Sequence, residues 1–219
     1  VGDTKVRAVW GYPATITFGE AIFALPLIRA YQQRDGPIAY GYETAIGGMR
    51  KIYRRFSRGK FYAGLDFKKF DKTVPNWLID VAFKILLGNL DLTYYRQHGV
   101  ADARRMLAMY AYIEDYFINT TIRTAKGCRF QKNSGIASGS YFTQLIGSVV
   151  NYILCQWIHL EQFGRPVEDI LVLGDDSIMS TSSLLDISVA NNLMRSIGME
   201  LNMTKSENSS NLFSIKFLG

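Results

Sequence analysis

Apolar positions along the chain recur with two spacings, and each spacing predicts its own set of elements. Helical spacing runs from Phe18 to Gln33, through Ala21-Ile-Phe-Ala-Leu25 and Leu27-Ile28, with an interruption expected near Pro26. A second helix is predicted from Thr73-Val-Pro-Asn-Trp77 to about Leu87, with Thr73 or Asn76 placed to cap it and Pro75 suited to its first turn. Met106, Leu107, Tyr110, Ile113 and Phe117 mark a third helix over Asp102–Phe117. The small-residue stretch from Ser134 feeds a long amphipathic helix ending near Gln162, and Leu184 to Ile197 reads as a helix with Gly198 as its C-cap. Strand-like runs are Phe61 to Asp66, Thr120–Thr124, Cys128–Phe130, Ile170 to Ser180 split by an acidic turn, Met199–Lys205 and Phe213–Leu218. Lys5 to Pro13 is expected to be extended, with its two cations on one face.

Composition narrows the class without naming a function. With 219 residues, 48% of them hydrophobic and 20% charged, the chain has enough apolar material for the core of one folded unit. No repeat, low-complexity tract or Pro/Gly/Ser linker divides it. The net charge of +6 permits a polyanionic partner. Cys128 and Cys155 fit no metal-ligand spacing, and with only His98 and His159 beside them no zinc site is expected. Reduced thiols are the expectation. No apolar run is long enough for a membrane span, and no signal peptide opens the chain, so no membrane partner is expected. The chain opens on Val1 rather than Met and ends just after a predicted strand, which suggests a piece of something longer.

The most informative stretch is Ile170-Leu-Val-Leu-Gly-Asp-Asp-Ser-Ile-Met-Ser180, two short strands joined at Gly174-Asp175-Asp176. Two adjacent carboxylates at a hairpin tip repel one another and are best stabilised by a hard divalent cation with oxygen ligands. The triplet alone arises by chance in roughly one chain in thirty of this size, and a solvated turn would explain it. Other stretches supply what metal-assisted nucleotidyl transfer needs. Phe61-Tyr-Ala-Gly-Leu-Asp66 ends a strand on a carboxylate with Asp71 five residues on, although a turn residue and a helix cap would explain each singly. Ser138 and Gly139 allow close backbone approach to a sugar or phosphate. Thr143 and Asn151 lie two turns apart on one helix face, where they could offer a hydroxyl and an amide to a nucleotide. Lys5 and Arg7 could present cations to a phosphate, and Lys205 is a cation whose placement could be catalytic. Residues 47–60 gather Arg50, Lys51, Arg54 and Arg55 among aromatics, which suits an RNA backbone and equally a solvated basic helix face.

Taken in order, a basic extended segment, Asp-x4-Asp, Ser-Gly-x3-Thr-x7-Asn, Gly-Asp-Asp and a helix followed by a lysine, these stretches resemble the catalytic core of viral RNA-dependent RNA polymerases. The resemblance runs from Lys5 to Gly219. Arg7-Ala-Val-Trp-Gly-Tyr-Pro13, Asp66-Phe-Lys-Lys-Phe-Asp-Lys-Thr-Val-Pro75 and Ser138-Gly-Ser-Tyr-Phe-Thr-Gln144 are most similar to the partitivirus-like double-stranded RNA viruses. It implies an α+β fold: a right-hand polymerase palm whose antiparallel sheet is backed by helices over 61–219. Residues 1–60 would be fingers-derived, 88–132 an insertion, and the thumb absent. Asp66 and Asp175 would converge on two magnesium ions, with manganese able to substitute and Asp176 a secondary ligand. Asp71, with Ser138, Thr143 or Asn151, would recognise the ribose 2′-hydroxyl. Lys5 and Arg7 would hold the triphosphate, and Lys205 would be general acid for pyrophosphate. Many positive-strand RNA virus enzymes carry asparagine four residues after the motif threonine. Here that position is Gly147, and the amide comes at Asn151.

RNA template and product, NTPs and a viral capsid protein are the implied partners, and the virion interior or host cytoplasm the implied location. Reverse transcriptases are also two-metal palm enzymes, but usually place an aromatic and a variable residue before the paired aspartates, where Leu173 and Gly174 stand here. A non-catalytic RNA-binding protein with incidental acidic turns would be indifferent to losing Asp175.

Overall fold

The computed structural model describes residues 11–43, 47–95, 97 and 99–218. In chain order the elements are α1 (Ala14–Gln33), α2 (Gly48–Phe56), β1 (Phe61–Gly64), α3 (Phe70–Thr73), α4 (Asn76–Leu87), β2 (Tyr94–Tyr95), β3 (Gly99–Val100) and α5 (Ala103–Ile118). There follow β4 (Thr121–Arg123), β5 (Arg129–Gln131), α6 (Phe142–Phe163), β6 (Ile170–Leu173), β7 (Asp176–Thr181), α7 (Ile187–Ser196) and β8 (Glu207–Ser209).

Four strands form one antiparallel sheet in the order β6-β7-β1-β8, while β2-β3 and β4-β5 are separate two-stranded ribbons. The pleat sends alternate side chains to opposite faces, and both faces of the sheet are covered. Ala63, Ile170, Val172 and Met179 join the larger core with α4, α5 and α6. Tyr62, Leu171 and Ile178 pack with Ile52 and Phe56 of α2 and with Ile215. This is the α+β arrangement, an antiparallel sheet backed by helices, that the sequence predicts.

Beneath the helices lies an aromatic cluster. Phe83 of α4 sits 5.0–5.8 Å, ring centre to ring centre, from Tyr110, Phe117 and Phe142. The Tyr110 hydroxyl donates to the Phe83 carbonyl at 2.8 Å, which satisfies the one polar atom this ring carries into the core.

Four local expectations are corrected. α1 runs unbroken through Pro26, because Pro26 and Ile22, the residue one turn before it, are on the exposed side while Phe23, Ala24 and Leu27 anchor the helix on both sides of the lost hydrogen bond. Neither Thr73 nor Asn76 caps α4; Pro75 holds that position and the Thr73 hydroxyl turns back to the Lys69 carbonyl at 3.2 Å. Met199–Lys205 is not a strand: α7 ends with Met199 N–H on the Met194 carbonyl and Gly198 N–H on that of Arg195, only Leu201 then bridges to Phe67, and the chain turns over 203–205 before β8. Phe213–Leu218 likewise forms no strand. The Asn211 side chain accepts from Phe213 N–H at 3.1 Å and starts a 3-10 turn over Leu212–Ser214.

Because Phe83 is fully buried among rings that cannot collapse into its space, Phe83→Ala should lower the unfolding free energy by about 3–5 kcal/mol in urea denaturation, with an unchanged m-value.

Candidate active site

Two adjacent strand ends form the apex of the sheet. β6 and β7 are joined by the two-residue turn Gly174-Asp175, with Leu173 paired to Asp176. Gly174 has φ +62°, as the first central residue of such a turn demands. Asp175 and Asp176 are exposed, and Asp66 stands half-buried two residues beyond β1, the strand next to β7. The Asp176 carboxyl is pushed above its ordinary range, first by desolvation and then by repulsion from Asp175 and Asp66. The three carboxylates predicted to act together therefore share one field. Among the described residues, no lysine or arginine forms an ion pair with any of them.

Helix α6 holds this apex from below. Gly174 N–H donates to Ser148 Oγ at 2.8 Å, and Asn151 Nδ2 donates to the carbonyls of Gly174 and Asp176, each at 3.1 Å. A Cβ on Gly147 would lie 3.3 Å from Gly174 Cα, so the glycine lets the helix and the turn approach closely. This corrects the sugar-binding role expected of Asn151. Its side chain is fully buried, and its amide N–H groups are used by the turn one helical turn past the close approach.

The Asp66 main chain is braced separately. Leu65 N–H donates to Ser177 Oγ at 3.3 Å, Asp66 N–H to Ser206 Oγ at 3.1 Å, and Asn202 N–H to the Asp66 carbonyl at 2.7 Å. The turn between Asn202 and Ser206 carries Lys205, exposed, so the predicted catalytic lysine hangs directly from the backbone of the predicted metal ligand.

Beside the apex lies the small-residue loop. Ile136 N–H donates to the Asp71 carbonyl at 2.7 Å and Gly135 N–H to that of Val74 at 2.8 Å. Any Cβ at Gly135 would sit 2.5 Å from the Asp71 carbonyl oxygen. These bonds dock the loop that carries Ser138, half-buried, and Gly139, exposed, against the segment of the exposed Asp71. The Thr143 hydroxyl donates to the Ala137 carbonyl and stays within the loop. The Lys132 ammonium, its pKa lowered to about 8 by burial, reaches the Gly135 carbonyl from behind.

The loop is also held by a residue that sequence reasoning missed. Glu20 of α1 is fully buried, and its carboxylate accepts from Ser140 Oγ at 2.8 Å and Tyr141 N–H at 2.9 Å, where α6 begins. Burial pushes the Glu20 carboxyl up against those hydrogen bonds. A lone acid in the apolar run Ala21-Ile-Phe-Ala-Leu25 and its flank was the available signal.

The basic stretch divides in two. Arg50 and Arg54 project from α2 into solvent. Lys51 Nζ donates to the Gly41 carbonyl at 2.9 Å, and Arg55 donates to that of Gly36 at 2.8 Å and lies 3.9 Å from Asp169. Arg55 is thus half-buried and held within the fold, while Lys51 stays exposed with one of its three N–H donors used. Lys5 and Arg7 lie outside the described residues.

Removing the amide at 151 would leave two turn carbonyls without donors. Asn151→Ala should therefore lower the unfolding free energy by about 2–3 kcal/mol, against the half kilocalorie or less typical of a surface amide, as read by chemical denaturation.

Comparison with known proteins matches the chain to a family. The family model described as viral RNA-dependent RNA polymerase matches residues 1–219. The RNA-directed RNA polymerase of Cryptosporidium parvum virus 1 (strain KSU-1) is 33% identical over 191 residues, covering 84% of this chain and 34% of that protein. That of Atkinsonella hypoxylon virus (isolate 2H) is 25% identical, covering 99% of this chain and 39% of that protein. The crystal structure of the RNA-dependent RNA polymerase of a human picorbirnavirus superposes with a TM-score of 0.73 at 18% identity, over 93% of this chain and 37% of that one, and establishes the shared fold. The chain thus spans between a third and two-fifths of the length of these relatives. By the match over its whole length and by its identity to these polymerases, the chain belongs to the viral RNA-dependent RNA polymerase family.

Proposed function

We propose that this chain carries the catalytic palm of an RNA-templated RNA polymerase, which joins the α-phosphate of a ribonucleoside triphosphate to an RNA 3′-hydroxyl with release of pyrophosphate. The acidic apex carries this reading: three carboxylates at adjacent strand ends repel one another, and among the described residues none has a cationic partner. Such a donor set fits a hard divalent cation, whose charge would relieve the desolvation and repulsion at Asp176. No three Asp, Glu, His or Cys side chains among the described residues are close enough to cage an ion unaided. Magnesium does not require that, since it keeps several waters and takes substrate phosphate oxygens beside one or two carboxylates. Asp66 and Asp175 would hold two such ions, with Asp176 beside them; manganese would serve too. The ions would supply activation of the 3′-hydroxyl and neutralisation of the leaving pyrophosphate.

The chain's own groups supply the rest. The exposed Lys205, hung from the Asp66 backbone, is the proton donor to pyrophosphate. Asp71 and the loop of Ser138 and Gly139 docked against its segment form the surface for the ribose 2′-hydroxyl, with Thr143 orienting the loop through Ala137. Lys5 and Arg7 are the triphosphate-binding cations, and Arg50 and Arg54 are free to meet an RNA phosphate. The setting is replication and transcription of an RNA virus genome, in the virion interior or host cytoplasm, with capsid protein as a further partner. Among the described residues, no helix is long and apolar enough to cross a membrane.

Incorporation on a single-stranded RNA template by the full-length protein tests the reading. Asp175→Ala should reduce ribonucleotide incorporation at least about a thousandfold, equivalent to about 4 kcal/mol of barrier. A preference for deoxynucleotides, or activity that survives the substitution, would overturn it.

The apex also predicts a pH signature. A carboxyl whose folded pKa is raised contributes stability while protonated, and that contribution is lost as pH rises from just below 4 through the folded value. Relative to Asp176→Asn, the metal-free protein should lose melting temperature over that window. Millimolar magnesium should restore it near neutral pH and have no effect near pH 4, as read by differential scanning calorimetry.

A further inference from the structure

The ribbon β4-β5 carries a charge arrangement that the site described above does not use. Arg123 and Arg129 are cross-strand partners, which places two guanidinium-bearing side chains directly opposite one another. Like charges so placed destabilise a two-stranded ribbon. Lys126 adds a third cation at the tip, in a three-residue loop closed by Gly127 N–H on the Thr124 carbonyl at 2.9 Å. All three are exposed, and among the described residues none takes part in an ion pair. Nothing nearby in the chain can compensate them, because no Asp or Glu occurs between Asp115 and Glu161. The ribbon's other face presents Phe130, 58% exposed, an aromatic ring that core packing has left uncovered.

A surface that sets three cations against one another with no acid near them in the chain is matched by a polyanion. The ribbon is also tied to the nucleotide-facing loop. Lys132 N–H closes the ribbon on the Thr120 carbonyl at 2.9 Å, the Lys132 side chain reaches the Gly135 carbonyl, and Gly135 and Ile136 dock on the segment of Asp71. We infer that β4-β5 is a contact surface for a single RNA strand, with Arg123, Lys126 and Arg129 on its phosphates. This rests on the polymerase reading and adds to it a site for the strand.

Equilibrium binding of a fluorescently labelled single-stranded RNA, followed by anisotropy across a salt series, tests the inference. Replacing Arg123, Lys126 and Arg129 by Ser should weaken binding and flatten the slope of log K against log salt by about 2, because each phosphate neutralised on a single strand contributes about 0.7. Phe130→Ser, on the opposite face of the ribbon, should leave both the affinity and the slope unchanged. The charge-matched control replaces Arg29, Arg34 and Arg104, three exposed cations elsewhere, and circular dichroism verifies that each variant is folded. If the ribbon variant loses no more than the control, the ribbon is not the contact surface and the polymerase reading stands. If the unaltered protein fails to bind RNA at all, both fall.

Discussion

The close approach of α6 to the turn between β6 and β7 is the interaction on which the rest depends. A tight turn at a sheet end leaves backbone groups without ladder partners, and burying them against a helix would cost more than the contact returns unless each finds a partner. Here the helix supplies them: Ser148 takes the Gly174 N–H, and Asn151 serves the Gly174 and Asp176 carbonyls. Gly147 makes this possible by bringing the helix within reach. Neutral groups thus do all the holding. The carboxylates at the apex are left unspent, their charge unbalanced by any side chain described.

The same division of labour recurs around Asp66 and the small-residue loop. Hydroxyls of Ser177 and Ser206 and the Asn202 amide fix the backbone around Asp66, while its carboxylate is near enough to Asp176 to raise the pKa there. The loop after Lys132 is tied by main-chain bonds to Asp71 and Val74 and by Glu20 to the start of α6. Glu20 therefore connects α1 to the helix that supports the acidic turn. A buried carboxylate satisfied only by neutral donors is costly, and it is retained where it orders a segment that packing alone would leave free.

Local chemistry made part of this readable from the residues. The acidic hairpin, the strand ending toward Asp66 and the long helix after Ser134 each follow from turn residues and period within one short window. Asn151 and Glu20 were not readable in that way, because their partners lie 23 and 120 residues off in sequence. Arg55 shows the same limit: spacing places it on a basic helix, but only the fold shows that the Gly36 carbonyl and Asp169 lie within its reach. Met199–Lys205 has strand composition, yet its main-chain bonds across to the first acidic segment go only to Asp66 and Lys68, and two such bonds hold a turn rather than a strand.

Charge is distributed in a way that binds these parts together. The acidic apex raises its own potential energy by crowding carboxylates, and β4-β5 does so by opposing arginines; each is relieved by a counter-ion of opposite sign. Under the polymerase reading, a cation at one and a polyanion at the other would remove both penalties. The short path from Arg129 through Lys132 to the Asp71 carbonyl is the mechanical link. Displacement of the ribbon by RNA would be transmitted to the loop beside Asp71, because Gly135, with its Cβ position 2.5 Å from the Asp71 carbonyl, leaves no slack at that contact.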